Sequence, residues 1–183
     1  MEYHARRQHG YLYYTAWCLV LLAAFLVQST SLLPAVRGIR PLLLTALVCA
    51  IGVFNGVTAS FAFGLAAGVL TDLTSVAPDG FHAIAMSVLA LAVSLLVEYL
   101  FNQRLITAGL LALGGCFLYE LALFLFLELP KGYEGVGAYF WKASVPAALY
   151  TWLFALPFYF VARYLAYLSQ RDRGHKGPEG SWK

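Results

Sequence analysis

Charged residues are scarce in this chain. Asp, Glu, Lys and Arg together account for 11% of its 183 residues, whereas 61% of the residues are hydrophobic. A soluble domain typically contains about 25% charged residues and less than about 50% apolar ones. A single core in a chain of this length cannot enclose such an excess, so apolar side chains must also cover the surface. The composition therefore predicts a protein whose solvent is largely lipid.

The sequence also lacks the motifs of common enzymes and of metal sites. It contains no HExxH, GxSxG or P-loop motif. The cysteines Cys18, Cys49 and Cys116 each lie in an apolar run, without the spacing of metal ligands or of a disulfide framework. The Lys and Arg residues lie near the ends of apolar runs, whereas a nucleic-acid-binding protein concentrates them on one surface. We therefore expect no catalytic residue, metal, cofactor or nucleic-acid partner.

The apolar runs predict an all-α integral membrane protein, a compact bundle of about six transmembrane helices over residues 1–170. A helix needs about 20 apolar residues to cross a hydrocarbon core of about 30 Å. By this measure the spans are residues 11–33, 39–54, 57–73, 82–101, 105–127 and 143–168. The second and third are short and separated only by Asn55 and Gly56, so they form either two short crossings or a re-entrant hairpin. Residues 171–183 are predicted to be a disordered cytoplasmic tail.

Basic residues near the span ends indicate the orientation in the membrane. If the N-terminus is cytoplasmic, that side of the membrane has twice as many Lys and Arg residues as the other. The cytoplasmic set is Arg6, Arg7, Arg104, Arg163, Arg171, Arg173, Lys176 and Lys183, and the opposite set is Arg37, Arg40, Lys131 and Lys142. This excess predicts that both termini lie in the cytoplasm.

Small residues recur at every fourth position along the second and third spans. They are Gly52, Gly56, Ser60, Gly64 and Gly68, and we refer to them as the small-residue ladder. Small side chains four residues apart let two helix backbones approach closely. The ladder is either a surface for a partner helix or an internal contact between the third span and its neighbours. We favour internal packing, because such motifs often serve it in membrane proteins.

Three ionisable residues need an explanation, because a charge within a membrane span is costly. In the orientation above, Asp72 ends the third span and His82 begins the fourth on the outer side. Glu120 lies about 24 Å beyond Arg104 at a rise of 1.5 Å per residue. The three side chains are therefore a candidate outer polar site. The structural alternative, which we favour, is that Asp72 and Asp79 cap helix starts or turns while His82 and Glu120 pair inside the bundle.

One stretch of the chain resembles the MreD family of bacterial cell-shape proteins. It starts with Arg-Pro-Leu-Leu-Leu at Arg40, continues with a Gly-rich helix that ends at Asp72, and has Pro-Asp-Gly-Phe-His-Ala from Pro78 to Ala83. In this family a short helix that starts with Arg-Pro precedes a Gly-rich helix ending in Asp, followed by a Gly-Leu-His-Ala-like helix start. Phe81 stands here in place of the more usual leucine. The overall length, the number of spans and the proline-bearing last helix also resemble the family.

The resemblance implies a non-catalytic inner-membrane subunit of the complex that elongates rod-shaped bacteria. Proteins of this family are expected to bind the single-span protein MreC. Through MreC they connect the MreB cytoskeleton with the glycosyltransferase RodA and its transpeptidase partner, and so help to organise or regulate peptidoglycan synthesis. The partner helix is expected on the small-residue ladder or on aromatic faces of the fifth and sixth spans, with Phe117, Phe124, Tyr150 and Phe154.

A solute-binding transporter subunit is the alternative function. The family is similar in helical arrangement to the substrate-binding subunits of energy-coupling-factor vitamin transporters, whose pocket opens outward. Such a pocket requires several convergent polar groups. The candidates to line it are Asp72, His82 and Glu120, with Asn55 and Gln28 as further ones.

Overall fold

The computed structural model describes residues 2–30, 41–75, 78, 80–99, 105–132 and 135–174. The α-helices are α1 (Glu2–Ser29), α2 (Leu43–Phe54), α3 (Val57–Asp72), α4 (Phe81–Tyr99), α5 (Leu105–Leu123), α6 (Val136–Tyr139) and α7 (Val145–Gly174). A π-helical turn (Phe124–Glu128) and a 3-10 helix (Leu129–Lys131) extend α5, and a second π-helical turn (Phe140–Ser144) joins α6 to α7. These residues thus form six helical segments and no β-strand, which confirms the predicted all-helical class.

Three of the helical segments are long and apolar enough to cross a membrane. They are Phe81–Tyr99, Ala108–Lys131 and Val136–Tyr167. The apolar helices Tyr13–Ser29, Leu43–Phe54 and Val57–Asp72 are shorter. With 12 residues, α2 is about 18 Å long, whereas the hydrocarbon core is about 30 Å thick. Helix length alone therefore does not decide whether α2 and α3 form two short crossings or a re-entrant hairpin.

Several helix boundaries differ from the predicted ones. Helix α2 begins at Leu43, after residue 39, and the last helical segment begins at Val136, before residue 143. That segment continues to Gly174, so residues 171–174, predicted to be disordered, are helical. Gln and Arg favour helices, and no Gly or Pro interrupts the segment between Pro157 and Gly174. Residues 31–40 and 175–183, and Asp79 with its predicted capping role, lie outside the described residues.

Each π-helical turn precedes a proline. Pro130 follows the first turn closely, and Pro146 follows the second. Proline has no N–H to donate to the carbonyl four residues earlier, so the regular hydrogen-bond pattern is interrupted in the turn before it. The wider turn accommodates this interruption. It also explains why the last segment starts earlier than hydrophobicity alone predicted.

Helix α2 is the centre of the bundle. Eleven of its 12 residues are buried, and it packs against α1, α3, α4, α5 and α7. A helix that is apolar on all sides is expected in such a position. The surrounding helices therefore shield α2 from lipid along most of its length.

The outward surface of the bundle is apolar, while several buried side chains are polar. Leu19 of α1 and Ile84 of α4 are 68% and 67% exposed. Thr45, Ser60 and His82, in contrast, are buried. Polar groups inside and apolar groups outside are typical of a bundle surrounded by lipid.

Four members of the small-residue ladder are buried inside the helix bundle. Ser60 is buried, and a Cβ atom added to Gly52 would lie 2.9 Å from Cγ1 of Val93 in α4. An added Cβ at Gly64 would lie 2.7 Å from the carbonyl oxygen of Met86. At Gly68 an added Cβ would overlap the backbone of His82 and Ala83. Gly52 of α2 and the face of α3 that carries Gly64 and Gly68 are therefore covered by α4 of the same chain.

The fifth member of the ladder differs from the others. Gly56 is exposed at the turn between α2 and α3, and an added Cβ there would meet no atom within 4 Å. The close approach of α3 to α4 thus depends on the glycines of the helix interior and not on the turn.

We predict that Gly68→Ala lowers the free energy of unfolding in detergent by about 3 kcal/mol or more, at or above the upper end for overpacked cores. The backbone of α4 stands where the new methyl group must go, and it cannot rotate away as a side chain would. Thermal and denaturant unfolding of the purified protein measure the effect.

Gly114→Ala is the matched control, because Gly114 is also within a helix but an added Cβ there meets no atom within 4 Å. Its stability should equal or slightly exceed that of the wild type, since Ala favours helices over Gly. Equal stability of the Gly68→Ala and wild-type proteins would contradict the close contact between α3 and α4.

Candidate functional site

The turn between α2 and α3 is held by polar contacts from three helices. The Tyr13 hydroxyl of α1 donates to Oδ1 of Asn55 at 2.9 Å. The Ser60 hydroxyl of α3 and the Ser94 hydroxyl of α4 both donate to the Asn55 carbonyl oxygen, each at 3.2 Å. We call this end of the bundle the Asn55 end. Asn55 was considered as a pocket residue, and its groups are used here in joining helices.

The opposite end, which we call the Asp72 end, contains the three predicted ionisable residues. Asp72 is the last residue of α3 and is half-buried. Its Oδ1 accepts the backbone N–H of His82, and its Oδ2 accepts the backbone N–H of Ala83, both at 3.0 Å. These are two of the first N–H groups of α4, which have no acceptor within their own helix. Asp72 therefore caps α4, and its negative charge lies at the positive end of the helix dipole.

The side chain of His82 bonds to α5. Its Nδ1 lies 2.5 Å from the Tyr119 hydroxyl, and the tautomer of the ring decides which group donates. Both residues are buried. The predicted pairing of His82 with Glu120 is therefore wrong, since the partner is the preceding residue. Consecutive residues of a helix point about 100° apart, so Glu120 points in a different direction from Tyr119.

Glu120 is placed differently from the other two predicted residues. It is 8% exposed and makes no hydrogen bond or ion pair with another residue of the described ranges. The structure thus joins Asp72, His82 and Tyr119 across α3, α4 and α5. Glu120 lies one residue further along α5, outside this chain of contacts.

The start of α2 is capped by two residues of other helices. The Leu44 N–H donates to Oε1 of Gln28 in α1, and the Leu42 N–H donates to Oγ1 of Thr151 in α7, both at 3.1 Å. Gln28 was named as a candidate pocket residue, but neither its capping role nor Thr151 was predicted. The sequence feature that indicates such caps is the apolar helix start after Pro41, because its free N–H groups need acceptors from other helices.

An apolar groove lies between α5 and α7, away from these polar residues. Its lining residues are Cys49, Ala50 and Val53 of α2, Ala108, Gly109 and Ala112 of α5, and Ala155, Leu156 and Tyr159 of α7. None of the three predicted ionisable residues lines this groove. Across the same pair of helices, Nε1 of Trp152 donates to the Gly109 carbonyl oxygen at 2.9 Å.

Comparisons with known proteins gave one match. The family model described as rod shape-determining protein MreD matches residues 9–168 of the chain. No curated protein and no solved structure matched it. The matched range includes all the residues of the Asn55 end and of the Asp72 end that are discussed above.

We predict that Asp72→Ala lowers the free energy of unfolding by about 1–3 kcal/mol, the usual cost of leaving buried donors without an acceptor. The N–H groups of His82 and Ala83 both lose their partner in this variant. Asp72→Asn keeps one side-chain oxygen as acceptor and should lose less. Thermal unfolding in detergent measures both changes.

Glu98→Gln is the control, because Glu98 is exposed near the end of α4. Its unfolding temperature should match that of the wild type. If Asp72→Ala were no less stable than Glu98→Gln, Asp72 would not be the cap of α4.

Proposed function

Since this chain belongs to the MreD family of rod shape-determining proteins, we propose that it is a non-catalytic subunit of the bacterial rod-shape complex. In this role it binds an MreC-like single-span protein and helps to organise or regulate peptidoglycan synthesis during cell elongation. MreB, RodA and its transpeptidase are its indirect partners. The observation that carries the proposal is the family match over residues 9–168.

The polar residues of the bundle support a role without chemistry. Asp72 caps α4 through both carboxylate oxygens, and His82 bonds to Tyr119. Asn55, Gln28 and Thr151 similarly bond to other helices or to helix starts. A catalytic acid, base or nucleophile needs a group that can reach a substrate, whereas these groups are used in joining helices.

The partner surface that we propose is the outward face of α5 and α7. Gly52, Gly64 and Gly68 of the small-residue ladder are covered by α4, so they offer no room for another helix. Phe117 of α5 is 40% exposed, and Tyr150 and Phe154 of α7 are half-buried, with ring centroids 5.6 Å apart. Phe124, the fourth aromatic residue named from the sequence, is buried and is not included.

We place the subunit in the inner membrane with both termini in the cytoplasm. The distribution of Lys and Arg supports this orientation. Contacts support the pairing of ends that it requires: Tyr13 of α1 bonds to Asn55, and the rings of Phe54 and Tyr159 lie 5.1 Å apart. In this arrangement the Asn55 end lies toward the cytoplasm and the Asp72 end toward the periplasm.

The alternative is an outward-facing solute-binding subunit, arranged like those of energy-coupling-factor transporters. One buried polar group favours keeping it as a second candidate. Glu120 has no partner among the described residues. Thermal-shift screening with vitamins separates the two functions: a stabilising compound favours transport, and no response across the panel removes the support for it.

We predict that a photo-crosslinking amino acid at Phe117 or Phe154 captures an MreC-like partner in cells. The same group at Ile84 or Val88 of α4 is the control, because these residues are also exposed to the surroundings of the bundle but on another helix. The double variant Phe117→Ala with Phe154→Ala should reduce co-purification of the partner several-fold, since packing contacts are the main source of helix association in lipid.

Two results would contradict this surface. One is capture at the α4 positions and not at those of α5 and α7. The other is a partner-free, monodisperse protein from cells that contain the whole rod-shape machinery. The first would move the partner surface, and the second would count against the subunit role itself.

A further inference from the structure

Glu120 is a buried carboxyl group without a counter-charge in the part of the chain that the structure describes. It is 8% exposed, and no hydrogen bond or ion pair joins it to another described residue. An ionisable group in a membrane bundle is costly unless it is paired, and it usually serves binding or transport. The interactions of Asp72 and His82 are accounted for, so Glu120 is the polar group of this end that still needs an explanation.

Two contacts fix the register of α5 against the last helical segment. Trp152 bonds to the carbonyl oxygen of Gly109, and the ring centroids of Phe124 and Phe140 lie 4.9 Å apart. As the residue numbers rise along the segment that contains α5, they fall along the segment that contains α7. The two segments therefore run antiparallel, and the two π-helical turns that begin at Phe124 and Phe140 lie at the same level.

This register places aromatic rings around the level of Glu120. Phe117 and Phe124 lie about one helical turn before and after Glu120. The centroid of the Phe140 ring lies 6.1 Å from that of Phe117 and 4.9 Å from that of Phe124. Ser144 lies one turn beyond Phe140, at the level of Glu120, and is 6% exposed. The register thus brings a carboxyl group, a hydroxyl group and three aromatic rings to one level of the two segments.

The charges at this end favour a cation. Asp72 and Glu128 are the other acidic residues described there, and Lys131 is ion-paired with Glu128 at 2.8 Å. Lys142 is exposed. A carboxylate with aromatic rings beside it is the combination that binds organic ammonium groups, because ring faces attract cations as well.

We propose that Glu120 is the counter-ion of an organic ammonium group that binds between α5 and α7, with Phe117, Phe124 and Phe140 around it and Ser144 as a hydrogen-bonding neighbour. The ammonium group comes either from a lipid headgroup, such as that of phosphatidylethanolamine, or from a soluble amine. The shared chemistry is a primary ammonium that donates hydrogen bonds to the Glu120 carboxylate. This site shares Phe117 with the proposed MreC surface, but its test uses an ammonium compound and does not depend on that partner.

The full chain is tested in two arms. In the lipid arm, native mass spectrometry compares phosphatidylethanolamine with phosphatidylglycerol retained by the protein from mixed nanodiscs. In the soluble arm, thermal unfolding is followed in lipid-free detergent with and without ethanolamine. The variants are Glu120→Gln, which keeps the shape of the side chain, and Glu128→Gln as the control, because Glu128 is already paired with Lys131.

We expect the wild type and Glu128→Gln to bind the ammonium compound in at least one arm. The affinity of Glu120→Gln for it should be lower by about tenfold or more, because one charged hydrogen bond is lost. Selectivity in the lipid arm alone identifies a headgroup, and stabilisation by ethanolamine identifies a soluble amine. Equal binding by Glu120→Gln, or no response of the wild type in either arm, overturns the proposal. Loss of a co-purifying protein partner by Glu120→Gln without any change in amine binding also overturns it, in favour of a basic side chain of that partner.

Discussion

A backbone N–H at the start of a helix inside a membrane bundle must find an acceptor within the protein, because lipid supplies none. The constraint applies strongly to helix α2, because it is short and almost entirely buried. Its acceptors are the side chains of Gln28 and Thr151. Asp72 does the same for α4. Each acceptor belongs to a different helix from the one that it caps, so capping fixes the positions of α1, α7 and α3 as well.

Close packing and capping depend on each other in the α3–α4 pair. Gly68 brings the backbone of α3 against that of Ala83. Asp72 lies one turn further along α3, and that distance places its carboxylate at the first free N–H groups of α4. A side chain at residue 68 would move Asp72 away, and a residue without an acceptor at 72 would leave the N–H groups unpaired. The close contact at Gly68 and the cap at Asp72 therefore depend on the same four-residue spacing, which is visible in the sequence.

The sequence predicted those properties that depend on local pattern. Hydrophobic runs identified the six helical segments, since each run reports its own environment. The partners of polar residues could not be found in this way, because they lie far apart in the chain. His82 bonds to Tyr119 and not to the adjacent Glu120, and this choice depends on the rotation of α5 about its axis. Thr151 as a cap of α2 depends on the depth of α7 against α2, for which no local pattern gives the register.

The extension of the last helix beyond its apolar run has a similar cause. Hydrophobicity marks where lipid contact ends, whereas a helix ends where its hydrogen bonds do. Residues with good helical propensity continue α7 after the apolar stretch. At the other end, a π-helical turn carries the segment past Pro146. Both differences from the predicted bounds arise because a helix can extend beyond the apolar run that hydrophobicity marks.

The two sides of the bundle differ in how their helices are joined, and this difference bears on where a partner can act. The α3–α4 side is held by backbone contact at the ladder and by the Asp72 cap, so binding there would have to displace bonds that the fold requires. The segments that contain α5 and α7 meet at two π-helical turns, each near a proline, and such turns often occur at functional sites. Glu120 and the aromatic residues of the proposed partner surface lie on these same segments. Since the polar groups of the bundle are mostly used in its own capping, we expect the partner on these segments, as in a protein that works by association.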